Sequence, residues 1–187
     1  MRRIIVGIGG ASGSIYGYMA LQALRAASEI ETHLVVTSGA RKTIELETTM
    51  TVRDFEALAD VVYDDGDLAA SISSGSFLTD GMLVIPCSIR SASAIAASLD
   101  GNLLVRAADV CLKERRRLVL VVREAPLHAG HLRTLTTLAE LGAVILPPIP
   151  AMYAKPRSVD DIVAHTVGKS LDLLGIRNEL VTRWHSP

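Results

Sequence analysis

The chain has 187 residues, the size of one ordinary domain, long enough to bury roughly 70% of its unfolded surface. Apolar residues make up 49% but aromatic ones only 4%, and 19 basic residues face 20 acidic ones for a net charge of -1, so the core must be aliphatic. The balance excludes a nucleic-acid binder built on a basic field, the apolar content excludes disorder, and the two cysteines, Cys87 and Cys111, exclude a disulfide scaffold and suit a reducing cytoplasm.

The opening Met1-Arg2-Arg3 leads into an apolar run that stops at Gly7, too short for a signal peptide, and no run approaches the ~20 apolar residues of a membrane span. Ile4 to Ile8 reads as a buried strand and Ser14 to Ala27 as a helix. His33 to Val36 is a second strand, and Arg41 to Glu47 begins a second helix. Met82 to Ile85 is a strand, followed by a Ser/Ala-rich helix over about residues 88–98. Arg106 to Arg115 reads as helix, Leu118 to Val122 as strand, Leu127 to Leu141 as helix and Ala143 to Leu146 as strand. In the last helix, Val159 to Leu174, the residues Val159, Ile162, Val163, Val167, Leu171 and Leu174 recur at helical spacing and mark the buried face. Ser158 with Asp161 resembles a capping box before it. Short continuous apolar strands alternating with helices predict a parallel sheet covered on both faces: a single α/β domain over residues 1–187, three-layer and doubly wound, of Rossmann or flavodoxin-like type.

Such sheets bind ligands beyond the carboxyl ends of their strands. There the chain carries Gly9-Gly10-Ala11-Ser12-Gly13-Ser14, Thr37-Ser38-Gly39, Pro86-Cys87-Ser88-Ile89-Arg90-Ser91 and Arg123-Glu124. Glycines let backbone approach a phosphate, and free N–H groups at a helix start attract an anion. The convergence points to a phosphorylated cofactor. Ser12 stands where a dinucleotide fingerprint needs its third glycine, and Thr37 and Ser38 stand where it needs an acid, so NAD is disfavoured. No Walker motif exists, and a mononucleotide such as FMN fits better.

These segments resemble the flavin prenyltransferase family, whose members modify FMN for the ubiquinone-pathway and phenolic-acid decarboxylases. The likeness covers nearly the whole chain. It rests on Gly10-Ala11-Ser12-Gly13 with Tyr16-Gly17, Glu45-Leu46-Glu47-Thr48, Ser73-Ser74-Gly75-Ser76-Phe77 and Pro86-Cys87-Ser88. It continues through Arg106-Ala107-Ala108-Asp109, Leu112-Lys113-Glu114-Arg115-Arg116, Arg123-Glu124-Ala125-Pro126-Leu127, the Gly142 to Pro148 segment and Arg183-Trp184. The resemblance implies metal-independent transfer of a dimethylallyl group from dimethylallyl phosphate, or the diphosphate, to N5 and then C6 of reduced FMN. It also implies a homo-oligomer, a dodecamer with shared sites, that hands prenylated FMN to a decarboxylase.

By the same resemblance Gly10, Ala11, Ser12, Thr37, Ser88, Ile89, Arg90, Ser91 and Arg123 should hold FMN. Lys113, Arg123, Tyr153 and Lys169 should surround the allylic phosphate, where positive charge stabilises the departing group, with Trp184 and Tyr153 offering faces to an allyl cation. Glu124 resembles the family's acid/base carboxylate, Glu47 the carboxylate near N5 and Ser12 the hydroxyl linked to it, and Lys113 completes the catalytic set. Plainer roles compete: N-caps for Ser88 and Ser91, solvated surface for Lys113, an ion pair with Arg123 or Arg106 for Glu124, a helix-end charge for Glu47. His128 and His131 lack a third ligand of matching spacing, so no metal is expected. Cys87 sits at a helix start, where a thiol's pKa can fall, yet reads as flavin wall rather than nucleophile. The tail over about 176–187 is expected to dock on a neighbouring subunit.

The chain departs from the family at Lys169, where Arg is usual, at Met152-Tyr153-Ala154-Lys155-Pro156, at Gly9 and at Arg90-Ser91. Two other readings share the flavin: a peptidyl-cysteine decarboxylase, whose Pro-Ala-Ser-Ala-Asn-Thr-type segment has no Asn counterpart in residues 86–91, and a non-catalytic flavin carrier, which would not require Lys113, Arg123, Glu124 and Lys169.

Overall fold

Strands apolar at every position must be covered on both faces, and they are. The structure, a computed structural model, describes residues 1–184. Among these, six strands form one parallel sheet: β1 (Arg2–Ile8), β2 (Ile30–Val36), β3 (Val61–Tyr63), β4 (Gly81–Cys87), β5 (Arg117–Val122) and β6 (Val144–Ile145). Their order is β3-β2-β1-β4-β5-β6, the Rossmann order, with its reversal between β1 and β4. The helices are α1 (Ser14–Ala26), α2 (Ser38–Glu47), α3 (Val52–Glu56), α4 (Ile89–Ala96), α5 (Leu103–Lys113), α6 (Ala129–Glu140) and α7 (Val159–Leu173).

Side chains alternate across the sheet with a period of two. Ile4, Val6 and Ile8 of β1, Leu83 and Ile85 of β4, and Val119 and Val121 of β5 face a core closed by α1, α2, Phe55 of α3, and α7. Ile5, Met82, Val84, Leu118 and Leu120 face the opposite core beneath α4, α5 and α6. No helix of the described residues is long and apolar enough to cross a membrane.

The expected elements are all present, with shifted ends. The second strand starts at Ile30 because its polar leader, Glu31-Thr32-His33, pairs with β1 and is held by side chains: His33 Nε2 lies 2.9 Å from Glu31, and Asp60 accepts from Thr32 N. Burial holds the His33 imidazole below its ordinary pKa, against the pull of Glu31. Two helices start earlier than expected because of their caps. Thr37 Oγ1 accepts from Ala40 N at the start of α2, and Asn102 Oδ1 accepts from Val105 N at the start of α5. The edge strand β3 and the short helix α3 carry too few residues to show a period, and the sequence pattern misses both.

Past α7 the chain folds back on its own helix. Asn178 Nδ2 donates to Gly168 O and to Asp172 Oδ1, each at 3.0 Å, and Arg183 meets both Asp172 oxygens at 3.0 Å. A Cβ on Gly168 would lie 2.5 Å from Val181, so the tail seats only over a glycine. Residues 185–187 of the expected tail lie outside the described residues.

Candidate functional site

At the reversal of strand order, the loops after β1, β2 and β4 meet. Gly10 and Gly39 touch: a Cβ on Gly10 would stand 2.9 Å from the Gly39 carbonyl carbon, so backbone fills space that side chains would close. Thr37 and Ser88 each cap a helix here, and Ser88 Oγ accepts from Ser91 N at 3.1 Å with the Ser91 hydroxyl 3.0 Å away. The cap role and a ligand role thus share one junction. Gly10, Thr37, Ser88, Arg90 and Ser91 line a cleft of about 310 Å³, together with Ser38, Gly39 and Asn102. Ala11 is buried beside it, and Ile89, half-buried, opens α4. Glycine contacts, hydroxyls, helix starts and the Arg90 cation, gathered at one cleft, fit a phosphorylated flavin. Asn102 was not singled out from the sequence, because the helix it caps was expected to begin at Arg106. Asp100-Gly101-Asn102 before the apolar run is the signal that finds it.

Glu47 ends α2 yet is no mere surface charge. Its Oε2 accepts from Gly13 N at 2.8 Å and from Ser14 N at 3.3 Å, which ties α2 to the first turn of α1. Partial burial raises its pKa, but the Ser12 hydroxyl and the Gly13 and Ser14 N–H groups outweigh that and hold the carboxyl below the ordinary value. An ionised carboxylate and a hydroxyl that donates to it therefore stand at the first glycine loop, a pair able to accept and pass a proton.

Arg123 leaves β5 with its N–H donating to Cys87 O, and its charge reaches Tyr16, whose phenol burial holds above the ordinary value. Glu124 follows and accepts only from Ala125 N among its hydrogen bonds in the described residues. Arg106 pairs instead with Asp100 and Asp109, so the ion pair considered for Glu124 is not formed with it. Burial pushes the Cys87 thiol up to about 12, outweighing the helix start and agreeing with its reading as no nucleophile. Cys111, in the same buried core, is likewise raised to about 12.

A second cavity, of about 300 Å³, lies beyond β6 and along α7. It gathers Tyr153, Lys169 and Trp184, the expected allyl-phosphate residues, and adds His165, Asp172 and Arg183. The Tyr153 and Trp184 rings meet edge to face with centroids 5.1 Å apart. Arg183 holds the Asp172 carboxyl below its usual range, which neutralises that pair and leaves Lys169 as the cation facing the cavity.

The structure does not bring Lys113 to either place within one chain. It ends α5, ten positions from Leu103, so roughly 15 Å along the helix from the end that lines the flavin cleft. There it pairs with Glu114 beside Gly75. The cleft and the α7 cavity likewise share no lining residue. His128 caps α6, its Nδ1 accepting from Gly130 N and His131 N.

Residues 1–171 match the model of the Flavoprotein family. The flavin prenyltransferase UbiX of Escherichia coli K12 is 56% identical over 186 residues, 98% of each chain. A dodecameric FMN-dependent UbiX-like decarboxylase from Escherichia coli O157:H7 superposes with a TM-score of 0.96 at 49% identity, covering 98% of this chain and 100% of that one. AnUbiX (PadA1), solved with FMN and dimethylallyl pyrophosphate, superposes with a TM-score of 0.96 at 46% identity, covering 99% and 98%.

Proposed function

The chain belongs to the flavin prenyltransferases of the Flavoprotein family, and from that footing we propose that it moves a dimethylallyl group from dimethylallyl phosphate onto reduced FMN and passes the prenylated flavin to a partner decarboxylase. The observation that carries the reading is the pairing of two half-sites: a flavin cleft of glycines and hydroxyls, and a separate cavity with Lys169, Arg183 and two aromatic rings. A carrier would have no use for the second.

The flavin, when bound, supplies the nucleophilic nitrogen and carbon. The chain's residues do the rest. Gly10, Ala11, Thr37, Ser88, Ile89, Ser91, Arg90 and Arg123 hold and orient it. Lys169 and Tyr153 take the allylic phosphate and, with Lys113, stabilise the negative charge that grows on it as the carbon–oxygen bond breaks. The Tyr153 and Trp184 rings offer their faces to the allyl cation left behind. Glu47, ionised and linked to Ser12, accepts the proton released near the first loop, and Glu124 serves the phosphate side.

Lys113 and the α7 cavity stand apart from the flavin cleft, so neighbouring copies complete each site in a homo-oligomer, a dodecamer. Trp184 and its tail, seated on their own α7, complete that shared surface against a neighbour. The protein works in the cytoplasm, where its two buried thiols stay reduced.

The test is anaerobic incubation with reduced FMN and dimethylallyl phosphate, then mass spectrometry of the extracted flavin. A gain of one dimethylallyl unit is expected. An unchanged flavin, with FMN bound and the diphosphate also tried, would overturn the proposal.

A further inference from the structure

His165 was not singled out by its sequence context, and no role above uses it. It stands on α7 four residues before Lys169, so the two side chains leave the same helix face one turn apart. It lines the cavity that holds Lys169 and also the adjoining groove beside Lys155 and Arg157. Its ring meets Tyr153 edge to face, with centroids 5.7 Å apart and planes at 84°. Its Nδ1 is buried and has no hydrogen-bond partner among the described residues.

Buried among protein atoms, Nδ1 is closed to a ligand, so any contact from outside the chain falls to Nε2. Nε2 is neither buried nor hydrogen-bonded within the described chain, so its N–H is left for a ligand of the cavity wall that His165 forms. Asp172, the carboxylate of that wall, is already taken up by Arg183 and Asn178. The acceptor for Nε2 therefore comes from outside the described chain.

Lys169, the lysine of this cavity, gives the donor its purpose. An arginine at that position would offer a phosphate two parallel N–H groups in a fixed fork, whereas a lysine offers a compact charge with no fixed direction. We infer that His165 supplies the second, directional N–H, so that His165 and Lys169 together bind the phosphate of the allyl donor. The inference rests on the prenyltransferase reading and adds a donor-binding residue to it. Tyr153 lies edge-on to His165 on one side and to Trp184 on the other, which sets the imidazole beside the aromatic pair.

The experiment compares steady-state prenylation by wild type, His165→Phe and His165→Gln, with FMN affinity measured separately. Phenylalanine keeps the ring and its contact with Tyr153 but has no N–H, while glutamine keeps an N–H at similar reach. A hydrogen bond to a charged oxygen is worth about tenfold in binding, so His165→Phe should raise KM for dimethylallyl phosphate about tenfold. Its kcat should stay within about twofold and its FMN affinity unchanged, and His165→Gln should recover most of the loss. Should His165→Phe not fold, His165→Ala is read in the same way. A wild-type KM in the donor-less variant, or a loss shared by kcat and FMN affinity, overturns the inference. Wild type that prenylates while His165→Phe matches it sinks only this inference, whereas wild type that fails to prenylate sinks the function itself.

Discussion

Glu47 shows how a single side chain can carry a fold contact and a chemical one together. Its carboxylate satisfies two N–H groups at the start of α1, donors that a helix leaves unpaired, and it also takes the Ser12 hydroxyl. Its folded pKa lies below the ordinary 4.5, so the stabilisation is complete above that value and is lost as the pH falls through the folded value. Glu47→Gln removes that dependence. The gap in melting temperature between wild type and Glu47→Gln should be widest near neutral pH and should narrow below about pH 4.5. A gap that stays constant to the acid limit would mean that the carboxylate's charge contributes nothing to these contacts. The residue's place was readable only by resemblance. At the end of a helix, 34 positions from Gly13, a glutamate has no local pattern to distinguish it from a surface charge.

At the scale of elements, the central strands and long helices were legible because their burial repeats along the chain. Ile4 to Ile8 and Met82 to Ile85 are apolar throughout, and α7 shows its capping box and its period through Val163, Val167 and Leu171, although Val159, expected on the buried face, is exposed in the helix's first turn. The edges were not legible: β3 is three residues of mixed burial, and the backfolded tail has no periodicity at all. What seats the tail is a close approach, and only coordinates reveal it. Gly168 lies under Val181, Asn178 and Leu180, with space for no methyl group. Gly168→Ala should therefore lift the tail while helix propensity favours the alanine, so α7 itself survives. Trp184 is the chain's one tryptophan, and it stacks edge-on against Tyr153. In flavin-stripped protein its emission should shift to the red in Gly168→Ala, with far-UV circular dichroism unchanged. Emission like that of wild type would show that the tail tolerates the methyl and that the glycine is not what seats it.

The whole molecule explains the unusual apolar content. Two aliphatic cores, one on each face of the sheet, use much of it, yet Leu46, Leu78, Ile149 and Val159 remain 86%, 72%, 72% and 71% exposed in one chain. The proposed homo-oligomer has such side chains to cover. The site makes the same demand from the chemical side. Glu124 follows β5 beside Arg123, at the carboxyl edge of the sheet, whereas Lys113 closes the far end of α5. If one subunit's Lys113 serves another's flavin cleft, two inactive variants can repair each other. Lys113→Ala and Glu124→Gln should each bind FMN and each lose turnover. In oligomers assembled from both at equal amounts, a site is intact when its own subunit keeps Glu124 and its neighbour keeps Lys113. Each condition holds in half the cases, so co-expression should restore about a quarter of wild-type activity. A site drawn from a single chain gives the opposite result: every subunit carries one lesion or the other, and the mixture stays as inactive as its parts.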